Sequence, residues 1–414
     1  MVADGVRQSH TKAVQNPNDF VTLYAGSICI THSCDPYKIP EIDSILVSRR
    51  GTAIRQDWPD QLPIYPPTTL FLLLPLSLLS YKAATVTWYL ISFAIYVSGL
   101  CWLCFVSSAL KKTPLLLRVA TALLGIHFPR MLQCLGFGNP SLIVTGLLLF
   151  SVFAEADRRK WTRLVQFVAL VLACLLKPPL ALPVAVLSLF KERRENRYGW
   201  IMAAVLAGIF LVGGLSASIF PGMTHWRQDI GQNLALGESG GMNPSFRGTA
   251  SNSLLNFANI PGYFTTNVRT IDLLTLTVLT MLLVLYGIAL VRLRKHDLWS
   301  TRGYSLAVAT MAAFTLLPVY HRFCDIGILL LVIPWLIQEL SRGLRWKAWF
   351  SLCLLGLLYF SWERRIHLDH LSGVQLKLAA PLYFRGDALL VFILACTLLS
   401  EMLTYKRFRP TETH

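Results

Sequence analysis

Apolar segments separated by short basic loops constrain this chain more than any other feature of its sequence. They run approximately over 66–80, 83–109, 114–134, 139–155, 163–176, 179–190, 200–219, 271–292, 304–319, 325–340, 346–361 and 387–404. Several are shorter than the ~20 residues that cross a bilayer upright. Charged residues make up only 14% of the chain against 54% hydrophobic. Soluble domains carry about 25% charged residues, so this chain lacks the polar surface to coat a globule of its size. The fold class implied is an all-α polytopic membrane protein. The formal net charge of +16 would suggest nucleic acid in a soluble protein. Here Lys and Arg collect in loops between apolar runs, as the positive-inside rule requires, and no nucleic-acid motif is present, so nucleic acid is excluded as a partner.

The charge pattern gives sidedness. The loops 110–118, 156–163, 191–198, 292–302 and 341–347 and the tail from 405 each carry three or four Lys or Arg, and 81–84, 135–138 and 320–324 carry none or one. The first set belongs to the cytoplasm and the second to the outer face. The long loops 1–65, 220–270 and 362–386 then lie outside, around a helical membrane domain over 81–404 with a cytoplasmic tail, 405–414. Segment 66–80 begins with Pro66-Pro67 and has outer residues on both sides, so it is expected to be an interfacial or re-entrant helix. Residues 163–190 hold too many apolar residues for one span, and Lys177-Pro178-Pro179 interrupts them. Basic clusters on both flanks place both ends in the cytoplasm, so the stretch folds as two short helices turning at Pro178. The count comes to about 11 membrane helices, several of them short, plus outer interfacial helices. Nothing in the polar residues 1–18 could direct export, so a preceding membrane helix is expected to be missing from this reading frame.

Most of the nine cysteines lie in apolar stretches and read as packing, including the CWLC at 101–104. Cys29 and Cys34 are the pair that could meet outside the membrane. Polar chemistry concentrates in three outer regions. In NDFVTLYAGSICI the apolar residues Phe20, Leu23, Tyr24 and Ile28 recur at helical spacing, with Asp19 in the first turn. Asp19 is either a capping residue or a carboxylate placed to take a proton from an acceptor hydroxyl. The GFGNPS turn at 136–141 brings Asn139. PVYHRFCD at 318–325 puts His321 and Arg322 at the outer end of a helix, where both could donate to anionic oxygens. Lys177, in an outward turn with no partner evident nearby in sequence, belongs with them. The glycine-rich ESGGMNPSFRG at 238–248 follows no strand and is not a phosphate-binding loop. It reads as part of a mobile outer loop. There is no HExxH, no GxSxG, no Walker motif and no Cys/His constellation, so neither a metal nor a nucleotide cofactor is implied.

Taken in order, the outer DF…Y…G…DPY segment, the YPP start of a short apolar helix, the G-x-x-N turn, the helix pair broken by KP and the late outer His resemble one family. They are similar to the polyprenyl-phosphate-mannose-dependent alpha-1,2-mannosyltransferases, glycosyltransferase family 87 (DUF2029-like) of the GT-C superfamily, over roughly residues 17–340. The resemblance implies a GT-C-like helical bundle in a bacterial plasma membrane, acting on the extracytoplasmic face. It implies transfer of mannose or a related sugar from a polyprenyl-phosphate donor to a glycan or glycolipid acceptor, with inversion and without a further cofactor. Asp19, within Asn16-Pro17-Asn18-Asp19-Phe20, matches the family's general base. His321 matches its late-helix His, contacting donor phosphate or sugar, with Lys177 and Arg322 as phosphate partners. Tyr24, Tyr65, Pro66 and Asn139 would line the cavity, with Pro67 at its mouth, while Asp35 and Tyr37 build the loop. The chain departs from the family turn GQxN, carrying Phe137 at the second position. Rival readings are a lipid-linked sugar flippase or transporter, which calls for repeated halves and midplane charges, a polysaccharide polymerase, and an inactive scaffold.

Overall fold

The computed structural model describes residues 18–51, 62–153, 160–195, 198–239, 254–296, 300–318, 321–343, 345–360 and 374–405. Residues 1–17, the glycine-rich stretch within 240–253, the first half of the expected loop 362–386 and the tail beyond 405 lie outside the described residues. The regular structure described is helical, apart from one isolated bridge between Leu254 and Arg322. Among the described residues, five helical stretches are long and apolar enough to cross a membrane: Tyr81–Val106, Leu115–Phe137, Val268–Arg294, Phe323–Leu340 and Gly386–Leu403. Shorter apolar helices pack among them. The chain is an all-α polytopic membrane protein.

The N-terminal region opens with α1 (Asn18–His32) and α2 (Ile39–Arg50). The apolar spacing of α1 suggests one buried face, but the helix is buried on all sides. Phe20, Leu23, Tyr24 and Ile28 join the main core, while Val21 and Ala25 pack against Ile42 and Leu46 of α2. Beyond His32, Ser33 takes a left-handed conformation (φ 57°). That reversal returns the Cys34 N–H to the Cys29 carbonyl at 3.1 Å and lets the two cysteines form a disulfide.

Segment 66–80 resolves into two pieces, α3 (Pro67–Leu72) and α4 (Leu74–Ser77). Next comes α5 (Tyr81–Cys101), extended by a π turn over Trp102–Val106, then α6 (Leu115–Ile126), α7 (Pro129–Phe137) and α8 (Ser141–Val152). Almost every residue of α8 is buried, as expected for a helix apolar all round. It crosses α5 at backbone contact: a Cβ at Gly99 would meet the Gly146 carbonyl oxygen at 2.2 Å, and one at Gly146 would meet the Ile95 oxygen at 2.5 Å. Small residues are what permit such close approach of membrane helices.

The proline-interrupted stretch forms α9 (Lys160–Leu176) and α10 (Pro178–Glu195), breaking at Lys177. Proline lacks the N–H that would continue the helix, so the chain turns there. Then follow α11 (Tyr198–Ala217), α12 (Trp226–Ser239) within the expected outer loop, α13 (Val268–His296) and the buried α14 (Thr301–Thr315). Segment 325–340 begins as a ten-residue 310 helix, Phe323–Val332, and continues as α15 (Ile333–Leu340). A 310 helix rises about 2.0 Å per residue against 1.5 Å in an α-helix, so 323–340 reaches about 32 Å rather than 27 Å. The chain closes with α16 (Trp346–Tyr359) and α17 (Val374–Leu403), which makes the second half of the expected loop 362–386 helical.

Candidate active site

Asp19 sits in the first turn of α1 and is almost fully buried. Its Oδ2 accepts from Asn139 Nδ2 at 2.9 Å. A carboxylate of this kind can only accept, so the contact fixes which way the Asn139 amide points. The other end, Asn139 Oδ1, accepts the backbone N–H of Ser141 at 2.9 Å and faces the Ser141 hydroxyl at 2.6 Å. The turn carrying Asn139 requires glycine at Gly138, whose φ is +64°. Two side chains of α5 pin it from behind, Trp88 Nε1 donating to the Gly138 carbonyl (2.8 Å) and the Tyr89 hydroxyl to that of Gly136 (3.0 Å).

Lys177 enters the same network from the α9–α10 turn. Its Nζ lies 2.6 Å from Asp325 Oδ1 and donates to Ser141 Oγ at 2.8 Å. The Ser141 hydroxyl also contacts Asp325 Oδ1. The remaining Asp325 oxygen, Oδ2, takes His321 Nδ1 at 2.8 Å. His321 has no exposed surface, and its Nε2 has no hydrogen-bond partner among the described residues. Buried polar atoms are nearly always satisfied, so an idle ring nitrogen here is conspicuous. Asp19, Asn139, Lys177 and His321, which the sequence singled out separately, therefore meet in one hydrogen-bonded chain. The lysine's missing partner is Asp325, which sequence reading passed over. It sits four residues after His321, and the turn of the chain into the 310 helix at Phe323 brings the two side chains together.

The YPP start bears on this network through α3. The Thr68 hydroxyl donates to the Leu175 carbonyl (3.0 Å) and that of Thr69 to the Leu176 carbonyl (2.9 Å). These cap the end of α9 immediately before Lys177 and so hold its turn. Pro66 precedes α3 at its cap position, and the Tyr65 carbonyl accepts from the Tyr37 hydroxyl at 3.0 Å. Burial, with Asp35 and Asp229 nearby, pushes the Tyr37 phenol well above its ordinary pKa, so it remains a donor. Asp35 shapes the same loop by accepting the Tyr37 N–H at 2.9 Å.

One expectation is corrected by the packing. Tyr24 does not line a cavity: it has no exposed surface, its hydroxyl donates to the Leu79 carbonyl at 2.8 Å, and its ring packs on Phe20 and Tyr81. Arg322 is half-buried at the cap of the 310 helix. Phe137, the departure from the family turn, packs on Phe323 with ring centroids 5.6 Å apart. Arg130 lies 5.3 Å from the same ring and pairs with Asp387 at 2.9 Å. No local signal marks a pair separated by 257 residues.

The backbone of His321 is itself anchored, since Leu255 N–H donates to its carbonyl at 2.9 Å and Phe257 N–H to that of Leu317. A cavity of about 380 Å³ opens between α13 and α14, walled by Leu276, Leu279, Leu282, Phe314, Leu317 and Pro318, with Asp272 and Thr275 among its few polar residues.

With this geometry in hand, comparison with known sequences is decisive at the family level. The profile of glycosyltransferase family 87 matches residues 64–319, more than half of the chain. The chain belongs to glycosyltransferase family 87. No curated protein and no solved structure matched it. The family 87 match takes in Asn139, Ser141 and Lys177, stops just short of His321, and begins well after Asp19. Family membership makes the protein a membrane glycosyltransferase, and chemistry of that kind needs what these residues can offer. A carboxylate can accept a hydroxyl proton, and cationic or hydrogen-bonding groups can receive an anionic leaving group.

Proposed function

We propose that this glycosyltransferase moves mannose or a related sugar from a polyprenyl-phosphate donor to a hydroxyl of a glycan or glycolipid, on the extracytoplasmic face. The observation that carries the reading is the convergence of Asp19, Asn139, Lys177 and His321, from four distant parts of the chain, into one buried network with an idle His321 Nε2. In this mechanism Asp19 takes the acceptor's hydroxyl proton, and that oxygen attacks the anomeric carbon. The bond from that carbon to the phosphate oxygen breaks on the opposite side, so the configuration inverts. The electron pair leaves with the lipid phosphate. Asp325 holds Nδ1 of His321, so Nε2 is the ring atom left to meet the departing phosphate oxygen, to which it donates when it carries a proton.

Three features support the lipid donor and the outer face. The cavity whose wall includes Leu317 and Pro318, three or four residues before His321 in the chain, suits an apolar chain. The Cys29–Cys34 disulfide, in the helix pair that begins with Asp19, suits an oxidising compartment. The basic loops fall at the other ends of the membrane segments.

The test uses purified protein in lipid vesicles, with polyprenyl-phosphate mannose labelled in the sugar and extracted envelope glycolipids as acceptors. Transfer with an inverted product linkage is expected, and Asp19→Asn should lower it about 10³-fold, within the usual range for removing a general base. Transfer from a nucleotide sugar instead, or an Asp19→Asn variant retaining near-normal rate, would overturn the reading.

A further inference from the structure

Asp325 has no role in the reading above beyond touching His321, yet it is the residue through which the rest of the site connects. One of its oxygens holds His321 Nδ1 at 2.8 Å. The other holds Lys177 at 2.6 Å and the Ser141 hydroxyl. Asp325 is 1% exposed, so these bonds form away from competing water. Ser141 continues the connection, because its backbone N–H holds the amide of Asn139 that orients Asp19.

Proton counting sharpens this. The Ser141 hydroxyl has one proton and faces two acceptors, Asn139 Oδ1 and Asp325 Oδ1. Lys177 donates to it and so cannot take that proton. The carboxylate is the stronger acceptor while it is ionised. Neutralising Asp325 removes that preference and turns the hydroxyl toward Asn139, at the Asp19 end of the chain. A change at the His321 end is therefore felt at the Asp19 end through two side chains, Ser141 and Asn139.

Building on the proposed transfer reaction, we propose that Asp325 is the positioning residue of the site, one carboxylate that fixes the His321 ring facing the leaving group and, through Ser141 and Asn139, the carboxylate of Asp19. Lys177 then serves chiefly as the counter-charge that lets Asp325 be buried. Its ammonium is engaged by Asp325 and Ser141, so the task of meeting the phosphate falls first to His321.

The variants Asp325→Asn, Lys177→Met, Ser141→Ala and the double Asp325→Asn/Lys177→Met separate positioning from mere charge balance. Asp325→Asn should lower kcat/KM for the lipid-phosphate donor about 100-fold, the scale of a misplaced reacting group. Because the single variant leaves a buried ammonium unpaired and can fail to fold, the double variant is the decisive one. It should recover a normal melting temperature without recovering transfer. Ser141→Ala should lower kcat about tenfold with little change in donor KM, and add little to Asp325→Asn because both act through one connection. Recovery of transfer in the double variant to within threefold of the parent would overturn the proposal, as would independent effects of Ser141→Ala and Asp325→Asn.

A substrate-free readout keeps the proposal separable from the transfer reading. In protein labelled with ¹⁵N-histidine, the Nδ1–H of His321 should give a strongly hydrogen-bonded signal that Asp325→Asn abolishes and Asp19→Asn leaves in place. Its survival in Asp325→Asn would refute the positioning role even if the donor were misassigned. Absence of transfer from every lipid-phosphate sugar in the parent, with this signal behaving as stated, would refute the donor instead.

Discussion

The helix over 323–340 carries a buried carboxylate near each end, and the two are used in opposite ways. Glu339 at the α15 end is saturated. Arg302 grips both of its oxygens, Arg345 adds a contact at 3.1 Å, and Arg345 and Lys347 continue to Glu401 at 3.9 and 3.5 Å. Lys347 also reaches Ser400 and Thr404, and the Arg302 guanidinium lies over the Tyr405 ring at 4.7 Å. These contacts tie the starts of α14 and α16 to the ends of α15 and α17. Asp325, about 25 Å away along the same helix, is also fully engaged, but one of the groups it holds is not. His321 presents an idle Nε2, and Asp19 lies at the other end of the chain of bonds, held by Asn139. Burial and ion pairing alone thus do not mark a site. What distinguishes the outer cluster is that its unpartnered atom is a ring nitrogen of His321, a group that can exchange a proton, held in line with the Asp19 carboxylate by one run of hydrogen bonds.

That contrast can be broken by substitution. The largest effect should come from Asp19→Asn, with about 10³-fold slower transfer and an unchanged melting temperature. Glu339→Gln should do the reverse. Removing one partner from a buried ion cluster costs about 3–5 kcal/mol, so thermal unfolding in detergent should shift sharply downward while the folded fraction keeps its parental KM. Normal stability in Glu339→Gln would show that the inner cluster does not staple the helices. Gly146→Ala should cost about 1–3 kcal/mol, because the added methyl meets backbone of α5 rather than a side chain that could yield. Since α8 begins at Ser141, a loss of rate beyond that explained by unfolding would show that this crossing also sets the site's register. The smallest effect should be that of Arg345→Ala. Its side chain is 37% exposed, and pairs open to solvent contribute about 0–1 kcal/mol. A larger loss of melting temperature would mean that Arg345, rather than Arg302, neutralises Glu339.

Much of the fold could be read from the chain. Apolar runs locate the helices, and Lys177-Pro178-Pro179 locates the break between α9 and α10, because local sequence decides both. Asp19, Asn139, Lys177 and His321 each stood out as polar residues where a membrane helix has no need of them. That they are joined could not be read, because the joining residue looks ordinary. Asp325 is one acid at the head of an apolar run, and its lysine partner lies 148 residues earlier. Arg130 and Asp387 were invisible for the same reason. The Cys29–Cys34 bond needed the left-handed Ser33, a conformation no serine announces. The resemblance assigns Tyr24 to a cavity wall, but Phe20 and Tyr81 pack its ring and the Leu79 carbonyl takes its hydroxyl, contacts that no local pattern shows.

The 310 run over Phe323–Val332 sets a phase as well as a length. Residues advance 120° each in such a helix and 100° in an α-helix, following from 3.0 and 3.6 residues per turn. Relaxing ten residues to α geometry would shorten the segment by about 5 Å and turn one end against the other by roughly half a revolution. With Glu339 clasped by Arg302, Asp325 would then face away from Lys177, Ser141 and His321. The two acids are therefore gauge marks on one screw, and only the stretched thread brings both into mesh at once.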